Sequence, residues 1–173
     1  MSTTATLQPQ ARPSSLHAVD GRSLARMTMV ELDSLFGELD PAGLDELQGR
    51  KRGRVLALSG LDWIPSTARS AVFGLLHELP IWRGKSFDGE FGANAWLFAN
   101  QRLQFARFLV REAPALDGEG SVVRLDYDVA ANPAPLRRIL GELRHLAPGL
   151  FLARMQILWG DRVVKVLYFT LES

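Results

Sequence analysis

The chain has 173 residues, a length that suits one domain with a sizeable core. Its 20 Lys and Arg against 19 Asp and Glu give a formal charge of +1, which excludes an overall field that would draw the protein onto nucleic acid or an anionic membrane. The absence of cysteine excludes disulfides, thiol nucleophiles and cysteine zinc sites, and it fits a cytoplasmic protein. The three histidines match no familiar metal-ligand spacing, so we predict neither a metal nor a cofactor.

Residues 1–22 are predicted to be a disordered tail, and residues 23–173 a single barrel-like domain. The tail is rich in Ser, Thr, Ala, Gln and Pro and has no apolar stretch, so we interpret it as neither a signal peptide nor a membrane span. Thr28 followed by Glu31 has the spacing of a capping box, which predicts a short amphipathic helix up to Gly37. A further helical turn is expected near Leu44 to Leu47.

The next elements are a strand and a second helix. Period-two apolar residues predict a first strand over Gly53 to Ser59. Pro65, followed by apolar residues at helical spacing through about Glu78, predicts a helix that either lies over a barrel mouth or packs flat on a sheet.

From Trp82 onward the pattern is mainly that of strands separated by turn residues. The predicted strands are Trp82 to Phe87, Ala95 to Ala99, Leu103 to Val110 with a bulge near Ala106-Arg107, Val122 to Tyr127, Phe151 to Leu158 and Val163 to Leu171. Gly160-Asp161 suits a two-residue hairpin turn and fixes the register of the last two strands. The inward cross-strand pairs are then Ile157 with Val164, Met155 with Val166 and Ala153 with Tyr168.

A helix is predicted after Asn132-Pro133, ending at Pro148-Gly149, because Leu136, Ile139, Leu140 and Leu143 form a narrow apolar stripe. On it, Arg137 and Arg144 would flank one edge, where they either clamp a carboxylate or phosphate or remain solvated. Together these elements predict a mainly β, α+β domain, an antiparallel barrel or half-barrel with short flanking helices.

The segment Trp82 to Phe87 is the densest mixture of polar and aromatic residues. As a strand it places Trp82, Gly84 and Ser86 on one face and Arg83, Lys85 and Phe87 on the other. Either a basic group enters the sheet interior beside an aromatic ring, or Lys85 lies in solvent and Trp82 in the core. Tyr127 and Tyr168 are expected to point inward, where each hydroxyl needs a partner or a ligand. Asp126, on the opposite strand face, is either a catalytic acid or the exposed partner of an arginine.

Several short segments carry a resemblance to a known family: Gly49 to Gly53, Trp82 to Phe87, Gly92 to Asn94, Leu125 to Tyr127 and Pro148-Gly149-Leu150. They resemble the calycin or lipocalin-like small barrels of unknown function, which carry Gly-x-Trp-x-Gly and Trp-x-Gly-Lys-x-Phe motifs. This chain has Lys51 where the first motif has its Trp. The resemblance implies a lipocalin-like barrel that binds a hydrophobic small molecule, with Lys85 and Asn94 near its mouth or floor.

Three functions remain open. The first is binding of a hydrophobic or aromatic small molecule in a barrel cavity, with Trp82, Asn94, Arg107, Met155, Ile157, Val166, Tyr168 and Arg144 as ligand-contacting candidates. The second is a cofactor-independent cyclase, isomerase or dehydratase that uses Lys85, Tyr127 or Asp126 on a hydrophobic substrate. The third is a protein-interaction module with a filled core. No nucleic-acid partner and no membrane span are predicted.

Overall fold

The computed structural model describes residues 21–60, 82–96, 106–118 and 120–173. Its main element is a closed barrel of eight antiparallel strands, each paired with its neighbours in sequence, with β8 closing onto β1. The strands are β1 Gly49–Leu58, β2 Trp82–Asp88, β3 Phe91–Trp96, β4 Arg107–Pro114, β5 Ser121–Asp126, β6 Ile139–Ala147, β7 Leu150–Trp159 and β8 Arg162–Glu172. The predicted fold class, a mainly β antiparallel barrel with short helices, is confirmed.

Two short helices precede the barrel, α1 at Gly21–Leu24 and α2 at Met29–Glu38, and 3-10 turns lie at Asp45–Leu47 and Leu136–Arg138. The predicted capping box is confirmed, because the Glu31 amide donates to the Thr28 hydroxyl and the Thr28 amide donates to the Glu31 carboxylate. These bonds satisfy amides at the start of α2 that have no partner within the helix.

The two ends of the barrel differ. The segment at residues 39–48 closes one end, which we call the plug end. There Leu47 is fully buried in the inner core, and the Gln48 side chain accepts a hydrogen bond from the Gly89 amide. The opposite end carries the loop at residues 127–138 and the β7–β8 turn, and we call it the hairpin end.

The barrel wall is packed on both faces. The inner core is built of inward residues, among them Phe87, Phe108, Val123, Leu125, Tyr127, Leu143, Phe151, Phe169 and Leu171. A second core lies outside the wall, where α2 packs against β5 to β8, and it includes Leu32, Phe36, Val122, Leu152 and Tyr168. Apolar helix side chains therefore cover a part of the sheet surface that would otherwise face water.

The predicted helix after Asn132 is wrong. Apart from the 3-10 turn, this segment forms β6, which pairs with β5 and β7 and thereby closes the barrel. Both faces of β6 are buried, so its sequence lacks the alternation that identifies a strand with one exposed face. The role given to Arg137 and Arg144 as a pair on one helix edge is lost with the helix.

The β7–β8 register is confirmed only near the turn. Ile157 pairs with Val164 as predicted, but a bulge then shifts the register, so that Met155 pairs with Leu167 and Ala153 with Phe169. Because one extra residue moves every later side chain to the other face, Leu167 replaces Val166 as the inward residue. The same shift places Tyr168 outside the wall, so its predicted inward orientation is wrong.

The remaining predicted elements are placed as follows. The helix from Pro65 to Glu78 lies outside the described residues, as do residues 1–20 of the predicted tail. The strand predicted at Ala95 to Ala99 overlaps β3, Phe91–Trp96, at its first two residues, and residues 97–99 lie outside the described residues. Ala106 has a φ of 60°, and Phe108 and Val110 both face the inner core.

Candidate functional site

An irregular start of β2 brings Trp82 and Lys85 to the same side of the barrel wall. Gly84 has a φ of 122°, and the β2–β3 register shifts between Trp82 and Gly84. Trp82 therefore packs against the inner core, on the side of Lys85 and Phe87. Simple strand alternation had predicted Trp82 on the opposite face, and that prediction is wrong.

The amine of Lys85 lies inside the barrel and is held by two neutral side chains. Lys85 is only 4% exposed. Its Nζ donates to Asn94 Oδ1 at 2.6 Å and to Tyr127 Oη at 2.5 Å. Tyr127 Oη in turn donates to the same Asn94 oxygen at 3.2 Å. The three side chains form a closed hydrogen-bonded cluster, which we call the Lys85 triad.

Aromatic rings surround this amine. The distances from Lys85 Nζ to the ring centroids are 4.9 Å for Phe108, 5.2 Å for Tyr127, 5.4 Å for Phe169 and 5.7 Å for Trp82. Trp82 meets Phe169 edge to face at 5.3 Å. The faces of such rings carry partial negative charge and attract a cation, although less strongly than a carboxylate does.

Burial shifts the ionisation of both titratable members of the triad. It lowers the pKa of Lys85 from 10.5 to about 7, because the protonated amine loses its hydration. Burial also raises the pKa of Tyr127 well above its ordinary value. Within the described ranges no carboxylate forms an ion pair with Lys85. The pair is thus arranged as an uncharged amine beside an uncharged phenol at mildly alkaline pH.

Asn132 fixes the position of Tyr127. Its side-chain amide donates to the backbone carbonyls of Arg107 at 2.6 Å and Tyr127 at 2.8 Å, and its oxygen accepts from the Arg107 amide at 3.0 Å. This residue, predicted as a helix cap, instead ties the loop at residues 127–138 to β4. An Asn-Pro pair is also a turn signal, and that is the only sequence feature that pointed to this loop.

Among the predicted ligand contacts, Trp82, Asn94, Met155 and Ile157 lie toward the hairpin end. Met155 packs against the inner core, and Ile157 pairs with Ile139 and Val164. All four residues keep partial exposure. Phe108, Phe169 and Leu167 lie in the same region but were not among the predicted contacts. For Phe169 and Leu167 the reason is the β7–β8 bulge, which reverses the face to which they point.

Four other candidates lie away from the triad. Arg107 is exposed and alternates with the inward Phe108. Asp126 is on the outer face, where it pairs with the exposed Arg111 at 2.8 Å. Arg144 is buried at the C-terminal end of α2, where it donates to the carbonyls of Phe36 and Gly37. Such a cation contacts the last carbonyls of the helix, here adding to the bond that the Leu39 amide donates to the Phe36 carbonyl.

Tyr168, the fourth, belongs to a charged network beneath α2. Its hydroxyl donates to Asp33 at 2.5 Å, and Asp33 also accepts from Lys165 and Arg154. Arg154 contacts the fully buried Glu142 through Nε at 2.8 Å. Carboxylates and cations are balanced here and connect α2 to β6, β7 and β8, so the network explains how the helix is held in place.

A cavity of about 660 Å³ adjoins the site at Trp82. The described residues that line it belong to the starts of β1 and β2, to β3 and to the C-terminus: Arg50, Lys51, Arg52, Gly53, Trp82, Arg83, Ala95, Glu172 and Ser173. Its volume lies within the range of small-molecule pockets, about 300 to 1,000 Å³. The four cationic side chains outnumber the single acidic one, so the lining favours polar or anionic groups.

The fold and the site together define a small, closed antiparallel β-barrel with a buried lysine–tyrosine pair inside. The chain is similar to a solved crystal structure of a protein from Thermomonospora curvata, with a TM-score of 0.52, 20% identity and coverage of 83% of this chain and 86% of that one. At this identity the similarity shows the fold alone. No protein-family model and no curated protein matches the chain.

Two further observations concern the described residues only. None of their helices combines the length and the apolar character needed to cross a bilayer. They also contain no group of three or more His, Asp or Glu side chains arranged to hold a metal ion.

Proposed function

We propose that the protein binds a hydrophobic or aromatic small molecule at the hairpin end of a lipocalin-like barrel, and that the Lys85 triad contacts the polar end of this ligand. The observation that carries the proposal is the Lys85 amine, which is buried among four aromatic rings and whose hydrogen-bonding partners among the described residues are neutral. Burying a lysine without an anion costs stability. A side chain that served only to fill the core would be apolar, and this supports a role for the amine in binding.

Graded packing of the barrel interior supports this location. At the plug end the inward residues Leu47, Phe87, Phe151 and Leu171 are at most 3% exposed. Toward the hairpin end the inward residues Trp82, Ile139, Met155 and Leu167 pack against the same core but remain partly accessible. Apolar side chains that are not fully covered by protein offer a surface for an apolar ligand.

The chemistry of the triad restricts the polar end of the ligand. A neutral amine and a neutral phenol both donate hydrogen bonds, and Asn94 holds them with one shared oxygen. Because these donors are used within the triad, the amine lone pair is the group left for the ligand, and it suits a hydrogen-bond donor or the carbon of a carbonyl group. The surrounding aromatic rings favour a flat apolar group as the rest of the ligand.

We place such a carrier in the cytoplasm, in keeping with the cysteine-free sequence.

Native mass spectrometry of the protein purified from its own host tests the proposal. We expect a stoichiometric apolar compound that solvent extraction releases and identifies. The apo protein should then be thermally stabilised by that compound, because a ligand that binds only the folded state raises its stability. Lys85→Met should weaken this stabilisation, whereas Lys51→Met, a change at a second buried lysine outside the triad, should leave it intact. A folded protein with a clean apo mass and no response to lipophilic compounds would contradict binding.

A second candidate function, a cofactor-independent enzyme acting on a hydrophobic substrate, is favoured by one specific observation. The pKa of Lys85 is lowered to about 7, close to the value at which an amine exchanges protons efficiently near neutral pH. Tyr127 is close enough to share that proton, since the two atoms lie 2.5 Å apart. Turnover of the extracted compound, lost in Lys85→Met while the variant still binds it, would distinguish the enzyme from the carrier.

A further inference from the structure

We propose that Lys85 is a covalent attachment site, at which the amine forms a reversible imine with an aldehyde or ketone group of the bound small molecule. This inference rests on the proposed binding function and names the ligand class as hydrophobic carbonyl compounds. It stands on the position of the amine inside the ring cluster and on the identity of its two partners.

The hydrogen bonds of Lys85 leave its lone pair available. A neutral amine has two N–H donors and one lone pair, and the two donors are used by Asn94 Oδ1 and Tyr127 Oη. No described acidic side chain forms an ion pair that would hold the amine protonated. Burial lowers the pKa of Lys85 to about 7, so the nucleophilic form is abundant at neutral pH.

The other two lysines of the chain are in different environments. Lys165 Nζ lies 2.6 and 2.5 Å from the two oxygens of Asp33, so this amine is engaged in an ion pair. Lys51 Nζ donates to Ser173 Oγ at 2.9 Å and lines the basic cavity instead of the aromatic cluster. Selective reaction at Lys85 is therefore expected.

The reaction balances without any additional reagent. The amine lone pair attacks the carbonyl carbon, a C–N bond forms, the carbonyl π electrons move to oxygen, and one N–H proton passes from nitrogen to that oxygen, which gives the carbinolamine. Protonation of the hydroxyl group lets it leave as water while the nitrogen lone pair forms the C=N bond. The protonated imine then releases its remaining N–H proton, which balances the proton taken up by the hydroxyl group. The net change is amine plus carbonyl giving imine plus water, and hydrolysis reverses it.

Tyr127 is placed to carry the protons. Its hydroxyl lies 2.5 Å from the amine, and burial keeps its pKa high, so it stays protonated and can relay a proton between the nitrogen and the carbonyl oxygen. The rings of Phe108, Phe169 and Trp82 lie within 6 Å of the nitrogen and stabilise the positive charge of a protonated imine. Formation of the imine thus needs no carboxylate in the site.

The test is reductive trapping with the full-length chain. The protein is incubated with cinnamaldehyde or decanal in the presence of sodium cyanoborohydride, then analysed by intact mass and peptide mapping. We expect one adduct per chain, heavier by the aldehyde less one oxygen atom, and located on Lys85. Lys51→Met should retain it and Lys85→Met should lose it. Because mapping is done on the wild type, the result does not depend on whether Lys85→Met folds.

A pH series and one variant test the roles of the neighbours. The rate of adduct formation should reach half its maximum near pH 7, where an ordinary lysine would require pH above 10. Tyr127→Phe should slow trapping by about tenfold or more relative to the wild type at a saturating aldehyde concentration, where weaker binding does not account for the loss.

The outcomes separate this inference from the proposed function. Adducts spread over Lys51, Lys165 and the N-terminus, with Lys85 unmodified, would overturn the covalent site. Stabilisation by cinnamyl alcohol or decanol together with an unmodified Lys85 would preserve binding and reject the imine. An absence of both stabilisation and adduct would reject both proposals.

Discussion

Lys85 and Tyr127 are 42 residues apart in the sequence, yet Lys85 Nζ and Tyr127 Oη lie 2.5 Å apart inside the barrel. Burial disfavours the charged form of each group, lowering the pKa of the amine and raising that of the phenol. The pair therefore stays neutral over a range of pH in which a surface lysine carries a full charge. A neutral pair is compatible with an apolar ligand. Beside a charged amine, the same ligand would exclude water and leave the charge without hydration.

The first prediction concerns stability and pH. Lys85 has a pKa of 10.5 in the unfolded chain and about 7 in the folded one. Between these values the unfolded state binds a proton that the folded state does not, so the free energy of unfolding rises with pH from about 7 upward. Urea unfolding at pH 6 and pH 9.5 should show a gain on the order of a few kcal/mol from this residue.

Lys85→Met supplies the control for this effect. Without a titrating group at position 85, the gain in stability between pH 6 and pH 9.5 should shrink, and the variant should be more stable than the wild type at pH 6. Working below pH 10 avoids the opposite effect of Tyr127, whose raised pKa makes stability fall above its ordinary value of 10. Parallel pH curves for the two proteins would contradict the lowered pKa.

The second prediction assigns a positioning role to Asn132. Asn132→Ala removes three hydrogen bonds to backbone groups of Arg107 and Tyr127 at a site that is 7% exposed. Leaving buried backbone groups unpaired costs about 1 to 3 kcal/mol, so urea unfolding should show a loss of that size. Because Tyr127 loses its anchor, trapping at Lys85 should slow even where the variant is fully folded. An unchanged trapping rate would limit Asn132 to a structural role.

The third prediction compares a buried and an exposed ion pair. Glu142 is fully buried and accepts hydrogen bonds from Arg154, Gln156 and the Leu116 amide. Glu142→Ala should cost about 3 to 5 kcal/mol, because it leaves Arg154 buried with a large part of its compensation removed. Asp126→Asn, at the exposed pair with Arg111, should cost no more than about 1 kcal/mol. Equal losses in the two variants would contradict the network's role in holding α2.

The sequence allowed the barrel and half of its site to be predicted. Alternation along β5 correctly placed Tyr127 inside, whereas along β2 it left Lys85 either in the sheet interior or in solvent, and the structure has it inside. Tyr168 was misplaced because a bulge is decided by the pairing of whole strands, and one extra residue reverses the face. Local patterns do not contain that information.

The error at β6 has a different cause. The helical spacing is that of Leu136, Ile139, Leu140 and Leu143. Leu136 precedes β6 and the other three belong to it, and β6 is covered by the inner core on one face and by the α2 network on the other. A strand buried on both faces shows no alternation, and the helical pattern was then accepted in its place. The residues that cover the outer face of β6 belong to α2, about a hundred residues earlier in the sequence. For example, Arg144 donates a hydrogen bond to the carbonyl of Gly37, which is 107 positions away.

The fourth prediction tests how Gly84 shapes the site. A Cβ at position 84 would lie 2.0 Å from the Lys51 carbonyl oxygen and 2.5 Å from the Gly53 amide nitrogen, and φ there is +122°. Backbone atoms cannot yield to this overlap without separating β1 from β2, so Gly84→Ala should cost more than about 3 kcal/mol in urea unfolding. Gly89→Ala is the matched control, since its φ of +58° is strained for alanine but nothing lies within 4 Å of the added carbon.

The consequence for function follows from the position of Trp82. The irregular backbone at Gly84 turns Trp82 toward Lys85, and the Trp82 ring fills the space over Gly53, where an added Cβ would meet it at 2.3 Å. Where folded Gly84→Ala can be obtained at low temperature, Trp82 should leave the ring cluster, water should reach the amine, and the pH of half-maximal trapping should move upward from about 7 toward the ordinary lysine value of 10.5. Gly89→Ala should keep the wild-type value, because the β2–β3 turn is remote from the amine. If both variants trap aldehyde with the same pH profile as the wild type, the aromatic enclosure at Trp82 does not control the reactivity of Lys85.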